Sequence, residues 1–320
     1  MGSVSHSRIA ESGPSPVVLL TGGTGYVGGR MISLLEQQPI KLRCLARDPD
    51  KLRPVVQHST ELVKGDVLDP GSLDAALEGV HTAYYLVHLM SGSRDFEKED
   101  RQAAENFARA SRRAGVRRII YLGGLGDDTD PNLSPHLRSR HEVGQILRES
   151  GVETIEFRAG MVIGSGSLSY QLMKSLTDRL PIMLCPLWLT TPTQPIAVED
   201  VLEYLLCARE LPSGESRIFE IGSPDVMTYG DLIRVYARQK GLRRRLIFVP
   251  VLTPYLSGLW LALVTPASFE VGRHLIEGLK NPTLVRNQEA MTAFPIRPKG
   301  VETAIRQAIS DGQRREVHPN

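Results

Sequence analysis

The chain has 320 residues, with 38 Lys and Arg against 36 Asp and Glu, so its formal net charge is +2. This near balance gives no argument for nucleic acid as a partner, and the length suits one large domain with a smaller lobe. The three cysteines, Cys44, Cys185 and Cys207, are far apart, which predicts reduced thiols in a cytoplasmic protein and no metal site.

The first sixteen residues are small and polar, so we expect a disordered tail over 1–16 rather than a signal peptide or membrane anchor. The next stretch, VVLLTGGTGYVGGR, combines an aliphatic strand, a glycine-rich turn and a helix start. N–H groups at a helix N-terminus bind phosphate, and a side chain at Gly22 or Gly25 would occupy the phosphate position. Gly28 would let the helix pack on the strand. The stretch therefore predicts a dinucleotide site that includes Gly22, Thr24, Gly25, Tyr26 and Val27.

Strand and helix patterns alternate after this turn, as is typical of a parallel sheet covered on both faces. The predicted strands cover 41–46, 61–64, 82–88, 117–122 and 152–157. The fold class is therefore α/β, a Rossmann-type doubly wound parallel sheet with a smaller C-terminal substrate lobe. We assign 17–165 to the nucleotide-binding domain, to which 191–222 returns, 166–310 mainly to the substrate lobe, and 311–320 to a frayed tail.

The end of the second strand discriminates between cofactors in such folds. An acidic residue there would bind the ribose hydroxyls, but this chain has Arg47, followed by Asp48. A guanidinium can grip a 2′-phosphate, which favours NADP, while Asp48 keeps NAD possible and Arg47 could be a solvated loop residue. After the third strand, Asp66 and Val67 are expected at the adenine, although Asp66 could form an Asx turn or cap a helix.

The nicotinamide should lie at the carboxyl ends of the later strands, because ligands bind outside that edge of a parallel sheet. The residues expected there are Val87, His88, Leu122, Gly123, Ala159 and Gly160. Farther along the chain, apolar side chains could line a pocket for a small apolar substrate or form ordinary core. These are Tyr170, Met173, Leu184, Trp188 and Leu189.

Several motifs together resemble the atypical short-chain dehydrogenase/reductase superfamily, close to its NmrA-like and NAD(P)H-binding branches. They are TGGTGYVGGR, CLARDPDKL, VKGDVLDPGSLDAALEGV, AYYLVHLM, YLGGLGDD, SPHLRSRHEVGQIL, FRAGMVIGSGSLSY and QPIAVEDVLEYL. The resemblance covers nearly the whole chain after residue 16. It is specific for the fold and less specific for the reaction.

Typical members of that superfamily carry a serine after the fifth strand and a Tyr-x-x-x-Lys pair on the next helix, where the tyrosine is the acid or base. The motif positions fall here on Gly123-Gly124, His136 and Arg140, so all three groups are replaced. His136 can transfer a proton near neutral pH, and Arg140 can contact the nicotinamide ribose. Tyr85 and His88 are alternative proton donors, although Tyr85 could be core and His136 a polar residue of the first helical turn.

The segment 247–266, IFVPVLTPYLSGLWLALVTP, is uncharged but interrupted by proline and glycine. A buried or partner-facing helix is its main interpretation. Membrane contact, helped by the preceding run Arg243 to Arg245, is the alternative.

Two classes of function remain. The first is an NADP(H)-dependent oxidoreductase that reduces a small apolar carbonyl, imine or enone. The second, favoured by the loss of the usual serine, tyrosine and lysine, is a non-catalytic NAD(P)-binding redox sensor or assembly factor, as in some NmrA-like relatives. An epimerase or dehydratase comes third, because sugar chemistry in this superfamily depends on the missing tyrosine.

Overall fold

The computed structural model describes residues 15–89, 95–249 and 278–317. Residues 1–14 of the predicted tail and residues 250–266 of the predicted apolar segment lie outside the described residues. The described strands are β1 (Val17–Thr21), β2 (Lys41–Ala46), β3 (Glu61–Lys64), β4 (Val80–Tyr85), β5 (Arg118–Gly124), β6 (Glu153–Ala159), β7 (Val162–Ile163), β8 (Ile182–Pro186), β9 (Pro192–Thr193), β10 (Ile196–Ala197), β11 (Arg217–Ile221), β12 (Met227–Thr228) and β13 (Arg245–Val249).

The described α-helices are α1 (Tyr26–Leu35), α2 (Pro70–Leu77), α3 (Phe96–Arg113), α4 (Pro135–Glu149), α5 (Leu168–Arg179), α6 (Val198–Cys207), α7 (Tyr229–Gln239), α8 (Glu289–Ala293) and α9 (Val301–Val317). Short 3-10 turns cover Pro49–Lys51, Leu187–Thr190 and Ala208–Glu210. None of the described helices is long and apolar enough to cross a membrane.

The central sheet has seven strands in the order β11-β6-β5-β4-β1-β2-β3, and every neighbouring pair is parallel. The chain moves outward from β1 to β3 and then crosses back to β4 on the other side of β1. This reversal creates a crevice at the carboxyl ends of β1 and β4, where doubly wound folds bind ligands. The predicted Rossmann-type fold class is therefore confirmed.

Helices cover both faces of this sheet, as the aliphatic run of β1 predicts. Val18 and Leu20 of β1 pack in one apolar cluster with side chains of α1 and α6. Leu19 points to the opposite face, where it joins a second cluster built mainly from α2, α3 and α4. Strand β1 is thus buried on both sides, and its carboxyl end is held in a fixed position for the turn that follows.

Two strand ends differ from the sequence-based boundaries. The predicted strand 82–88 ends at Tyr85, so residues 86–89 leave the ladder and form part of the crevice wall. The predicted strand 117–122 instead continues through Gly124, because Gly123 and Gly124 pair with Arg158 and Ala159 of β6. Each difference is set by the neighbouring strand rather than by local composition.

A third apolar cluster forms the core of the C-terminal lobe, where α5, α7 and α9 pack beside β8. Strand β11 returns from this half of the chain to the edge of the central sheet. Helix α9 continues to Val317, past residue 311, where the polar composition predicts fraying. Its residues Val301, Ile305 and Ala308 are buried in the lobe, which stabilises the helix beyond its intrinsic propensity.

Candidate functional site

A cleft of about 510 Å³ opens at the carboxyl edge of the central sheet. All the residues that the sequence places at the cofactor line this cleft. They are Gly22, Thr24, Gly25, Tyr26, Val27, Arg47, Asp66, Val67, Val87, His88, Leu122, Gly123, Arg140, Ala159 and Gly160. Leu45 and Gly65 also line it and were missed, although each lies next to a predicted strand end.

The glycine turn keeps the start of α1 open toward the cleft. Gly25 is the N-cap residue of α1, no side chain caps this end, and the first helical turn contains no acidic residue. A Cβ atom on Gly25 would meet only the Gly22 carbonyl oxygen, at 3.2 Å, so its other side is open. The first N–H groups and the positive end of the helix dipole are therefore available to an anion, which fits a pyrophosphate.

Gly22 serves a different purpose from the one that the sequence suggests. Its φ is +75°, and a Cβ atom there would overlap the carbonyl group of Leu86 rather than a phosphate position. A Cβ atom on Gly28 would overlap the Gly22 carbonyl group, as expected from close helix packing. These two glycines hold the turn tightly between α1 and the chain that follows β4.

At the adenosine end of the cleft, Arg47 is exposed, and the described part of the chain offers it no hydrogen bond or ion pair. Asp48 instead lies 3.8 Å from Lys51. The Oδ1 atom of Asp66 accepts a hydrogen bond from the Leu68 N–H at 3.0 Å, which is the Asx turn considered above. Arg47 therefore offers a positive charge to a phosphate in the cleft.

At the other end, Arg140 joins the ends of two strands. Its guanidinium donates hydrogen bonds to the carbonyl oxygens of Val87 at 3.3 Å and Leu122 at 3.1 Å. It also lies 4.9 Å from the centre of the Tyr121 ring. The side chain is buried, so Arg140 holds a fixed positive charge at this end of the cleft.

Asp100 of α3 forms a buried ion pair with Arg140 and was not among the residues predicted from the sequence. Asp100 is only 1% exposed, and its Oδ2 atom lies 3.9 Å from Arg140 Nη1. It accepts hydrogen bonds from the Ser139 hydroxyl at 2.9 Å and the Leu89 N–H at 3.3 Å. The available signal was its spacing, because Asp100 interrupts the apolar stripe of α3 between Phe96 and Ala103.

The candidate proton donors His88 and His136 lie together in the cleft, with ring centroids 5.0 Å apart. Although the His88 ring is open to the cleft, desolvation by the surrounding protein lowers its pKa well below the ordinary value. The positive charges of Arg140 and His136 lower it further. All these effects act in one direction, so His88 is neutral at pH 7.

Tyr85 is not part of the cleft lining. Its side chain is buried on the face of the sheet that α2, α3 and α4 cover. The centre of its ring lies 4.9 Å from that of Phe107 and 6.1 Å from that of Tyr121. Burial raises the pKa of Tyr85 above its ordinary value, which keeps the hydroxyl protonated. The structure thus places this predicted proton donor in the core, as the alternative interpretation allowed.

The glycine pair at the end of β5 also has a structural reason. Gly124 lines the cleft, and a Cβ atom there would lie 2.7 Å from the Leu137 side chain, so Gly124 also admits close packing of α4. A serine could not occupy this position unless Leu137 moved.

A small apolar cavity of about 70 Å³ lies in the C-terminal lobe. Of the predicted substrate residues, Met173, Trp188 and Leu189 line it. Tyr170 instead packs edge-on against Tyr236 in the core, and Leu184 is exposed on the surface. Met161 also lines the cavity, and its neighbours Gly160 and Val162 line the cleft, so the two spaces are adjacent.

Across the described ranges, no group of three His, Cys, Asp or Glu side chains could hold a metal ion.

Comparison with known proteins agrees with this geometry. Residues 22–179 match the family model described as NAD(P)H-binding. A ceramide reductase from Caulobacter vibrioides is 27% identical over 266 residues, covering 80% of this chain and 82% of that protein. Photosystem II assembly factor Ycf39 from Cyanophora paradoxa is 23% identical over 270 residues, covering 82% of this chain and 79% of that protein.

The fold is also shared with solved structures. The triphenylmethane reductase of Citrobacter sp., complexed with NADP(H), superposes with a TM-score of 0.73 at 15% sequence identity. The superposition covers 91% of this chain and 99% of that chain. Residues 22–179 therefore belong to the NAD(P)H-binding family, NAD(P)H is the cofactor, and the matched relatives fit the resemblance to the atypical short-chain dehydrogenase/reductase superfamily and its NmrA-like branch.

Proposed function

We propose that this protein is an NADP(H)-dependent reductase of a small apolar carbonyl, imine or enone. The observation that carries the proposal is the joint position of His136 and Arg140. The sequence motifs align them with the usual tyrosine and lysine, and both line the cleft that the glycine turn opens. The adjacent apolar cavity supports an apolar rather than a sugar substrate.

Bound NADPH supplies the hydride in such a reaction. The chain's own groups orient the reactants and deliver the proton. His136 is assigned the proton that the carbonyl oxygen or imine nitrogen takes up, because its ring lines the cleft beside that of His88, whose pKa lies well below the ordinary value. Arg140 keeps its charge and holds the ends of β4 and β5 in place beside the reacting groups.

Arg47 supports NADP rather than NAD as the preferred cofactor. Its guanidinium lines the cleft and is exposed, whereas the nearby Asp48 is directed to Lys51. A 2′-phosphate would meet a positive charge at this point, and ribose hydroxyls alone would gain little from it. The triphenylmethane reductase structure, which contains NADP(H), is consistent with this preference.

A non-catalytic role as a redox sensor or assembly factor is the second candidate. Two observations favour it: the replacement of the usual serine, tyrosine and lysine, and the similarity to Ycf39 over most of the chain. The reductase is preferred because two histidines and a buried arginine converge where a substrate would meet the nicotinamide. An assembly factor would not need a proton donor at that point.

The test is NADPH oxidation, followed by absorbance, with a panel of apolar ketones, imines and enones. We expect turnover with at least one class. His136→Ala should lower kcat by about 100-fold or more, the usual contribution of a general acid, without weakening NADPH binding. His58→Ala is the matched control, because His58 is exposed and does not line the cleft.

Two outcomes would contradict the proposal. Full turnover by His136→Ala would exclude His136 as the proton donor. Tight NADPH binding without oxidation by any member of the panel would favour the sensor or assembly factor.

A further inference from the structure

The small parallel sheet formed by β8 and β13 has two very different faces. Met183, Cys185 and Leu246 face inward, where they pack in the core of the C-terminal lobe. On the other face, Ile182 is 56%, Leu184 51% and Ile247 47% exposed. Successive side chains of a strand point to opposite faces, which explains why buried and exposed residues alternate along β8 and β13. The unusual feature is that the exposed residues are also apolar.

The exposed side chains are neighbours. Leu184 is paired directly with Ile247, and Ile182 is paired with Arg245. Ile182 and Leu184 are two residues apart on one strand, so the four side chains share a face. We call Ile182, Leu184 and Ile247 the apolar face, and Arg245 lies at its edge. Leu187 and Phe248, which are also exposed, adjoin it in sequence.

This arrangement is unusual for a parallel sheet, which normally has cover on both faces. Of the exposed large apolar side chains among the described residues, more than half belong to β8, β13 or the turn after β8. They are Ile182, Leu184, Leu187, Ile247 and Phe248, whereas Val55, Leu168, Val226 and Met291 are elsewhere. Phe248 is paired with Cys185 on the other face, whereas Ile182, Leu184 and Ile247 form one exposed apolar surface, of the kind that marks a binding surface.

The charged residues along β13 and in the segment before it all have one sign. The segment from Lys240 to Val249 contains four basic residues and no acidic one. Arg244 donates to the carbonyl oxygens of Thr177 and Asp178 at the end of α5, which ties the basic run to the lobe. Arg243 and Arg245 are exposed, and no described residue forms an ion pair with them. The edge of the apolar face therefore suits an anionic surface.

We infer that the apolar face rests on a lipid membrane that carries anionic headgroups, with Arg243 and Arg245 at the headgroups and Leu184 and Ile247 at the acyl boundary. Apolar side chains flanked by arginines are the usual composition of interfacial elements. A protein partner fits less well, since protein interfaces bury about 800 Å² per partner and concentrate aromatic anchors. The apolar face is aliphatic and only a few side chains wide.

The experiment is vesicle flotation of the full chain, with phosphatidylcholine vesicles and with vesicles that also contain phosphatidylglycerol. We expect binding only to the anionic vesicles, weakened by salt. Arg243→Ala and Arg245→Ala should each reduce the partition coefficient by about fivefold. Leu184→Glu should reduce the partition coefficient by at least about tenfold. It removes an aliphatic side chain that enters the membrane and adds a negative charge that the anionic headgroups repel.

Val226→Glu is the matched control, because Val226 is 59% exposed but lies outside the apolar face. It should bind vesicles like the wild type, and all variants should keep wild-type NADPH affinity, which shows that they fold. Absence of wild-type binding to anionic vesicles would overturn the inference, as would an equal loss with Val226→Glu. A wild-type dimer that Leu184→Glu dissociates, without vesicle binding, would instead make this face an interface between copies.

Discussion

Replacement of Asp100 by asparagine tests how the cleft holds its fixed positive charge. Asparagine keeps the size of the side chain and can still bond Ser139 and the Leu89 N–H, but it removes the charge that faces Arg140. Breaking a buried ion pair costs about 3–5 kcal/mol. Because the pair is 3.9 Å apart and Arg140 keeps two carbonyl acceptors, we expect the lower end, about 3 kcal/mol.

The free energy of unfolding should be measured by urea denaturation, and the dissociation constant of NADPH by calorimetry. We expect both to change, because an arginine without its counter-charge moves toward water and loosens the ends of β4 and β5. We expect the dissociation constant of NADPH to rise about tenfold, which corresponds to a loss of about 1.4 kcal/mol in binding free energy. Asp74→Asn is the control: its pair with Arg113 is more than half exposed and should contribute less than about 1 kcal/mol.

Either of two results would refute this reasoning. If Asp100→Asn unfolds at the same urea concentration as the wild type, the buried pair does not stabilise the fold. If stability falls while NADPH affinity stays unchanged, Asp100 supports the fold but does not position Arg140 for the cofactor.

Three further predictions concern the cleft. Arg47→Ala should weaken NADPH binding by about tenfold or more in calorimetry and leave NADH binding unchanged, because a hydrogen bond to a charged group contributes about 1.5–3 kcal/mol. The control is Arg53→Ala, because Arg53 lies outside the cleft lining. Gly25→Val should abolish NADPH binding while the chain stays folded in urea denaturation, because a Cβ atom there meets only the Gly22 carbonyl oxygen, at 3.2 Å, and the extended backbone of Gly25 suits any residue. The free energy of unfolding of the wild type should decrease as pH falls below about 6.5, because His88 takes up a proton in the unfolded state but not in the folded state. In urea denaturation between about pH 6.5 and 5, the free energy of unfolding of His88→Asn should decrease less than that of the wild type.

Each of these has a contrary outcome. Equal losses of NADPH and NADH affinity in Arg47→Ala would remove the argument for NADP. Wild-type NADPH affinity in Gly25→Val would mean that phosphate binds elsewhere. The same acid sensitivity in His88→Asn and the wild type would show that another group takes up the proton.

Much of the nucleotide-binding half follows from local pattern. Helix α1 begins at Tyr26 and ends at Leu35, and β2 covers Lys41 to Ala46, as the sequence predicts. Glycine spacing, aliphatic runs and helical periodicity are properties of a few neighbouring residues, so they can be read without knowing the rest of the chain. The cleft lining follows as well, since parallel strands place their carboxyl ends at one edge.

Pairing between distant residues was decided only by tertiary structure. Asp100 and Arg140 are 40 residues apart, and the sequence does not say that α3 and α4 bring them together. Gly144 of α4 shows the same dependence, because a Cβ atom there would overlap the carboxylate of the fully buried Glu156, which pairs with Arg148 and Arg158. A glycine within a helix carries no local sign of such a neighbour.

The direction of a side chain from its strand was also set by the fold. Tyr85 and Leu184 were both candidates for the site, and the structure places one in the core and the other on the surface. A strand exposes alternate residues to opposite faces, but which face meets a helix, a cleft or solvent depends on what packs there. Local sequence therefore determines where this protein binds its nucleotide, whereas the packing of α3, α4 and the C-terminal lobe determines which side chains surround the reacting end.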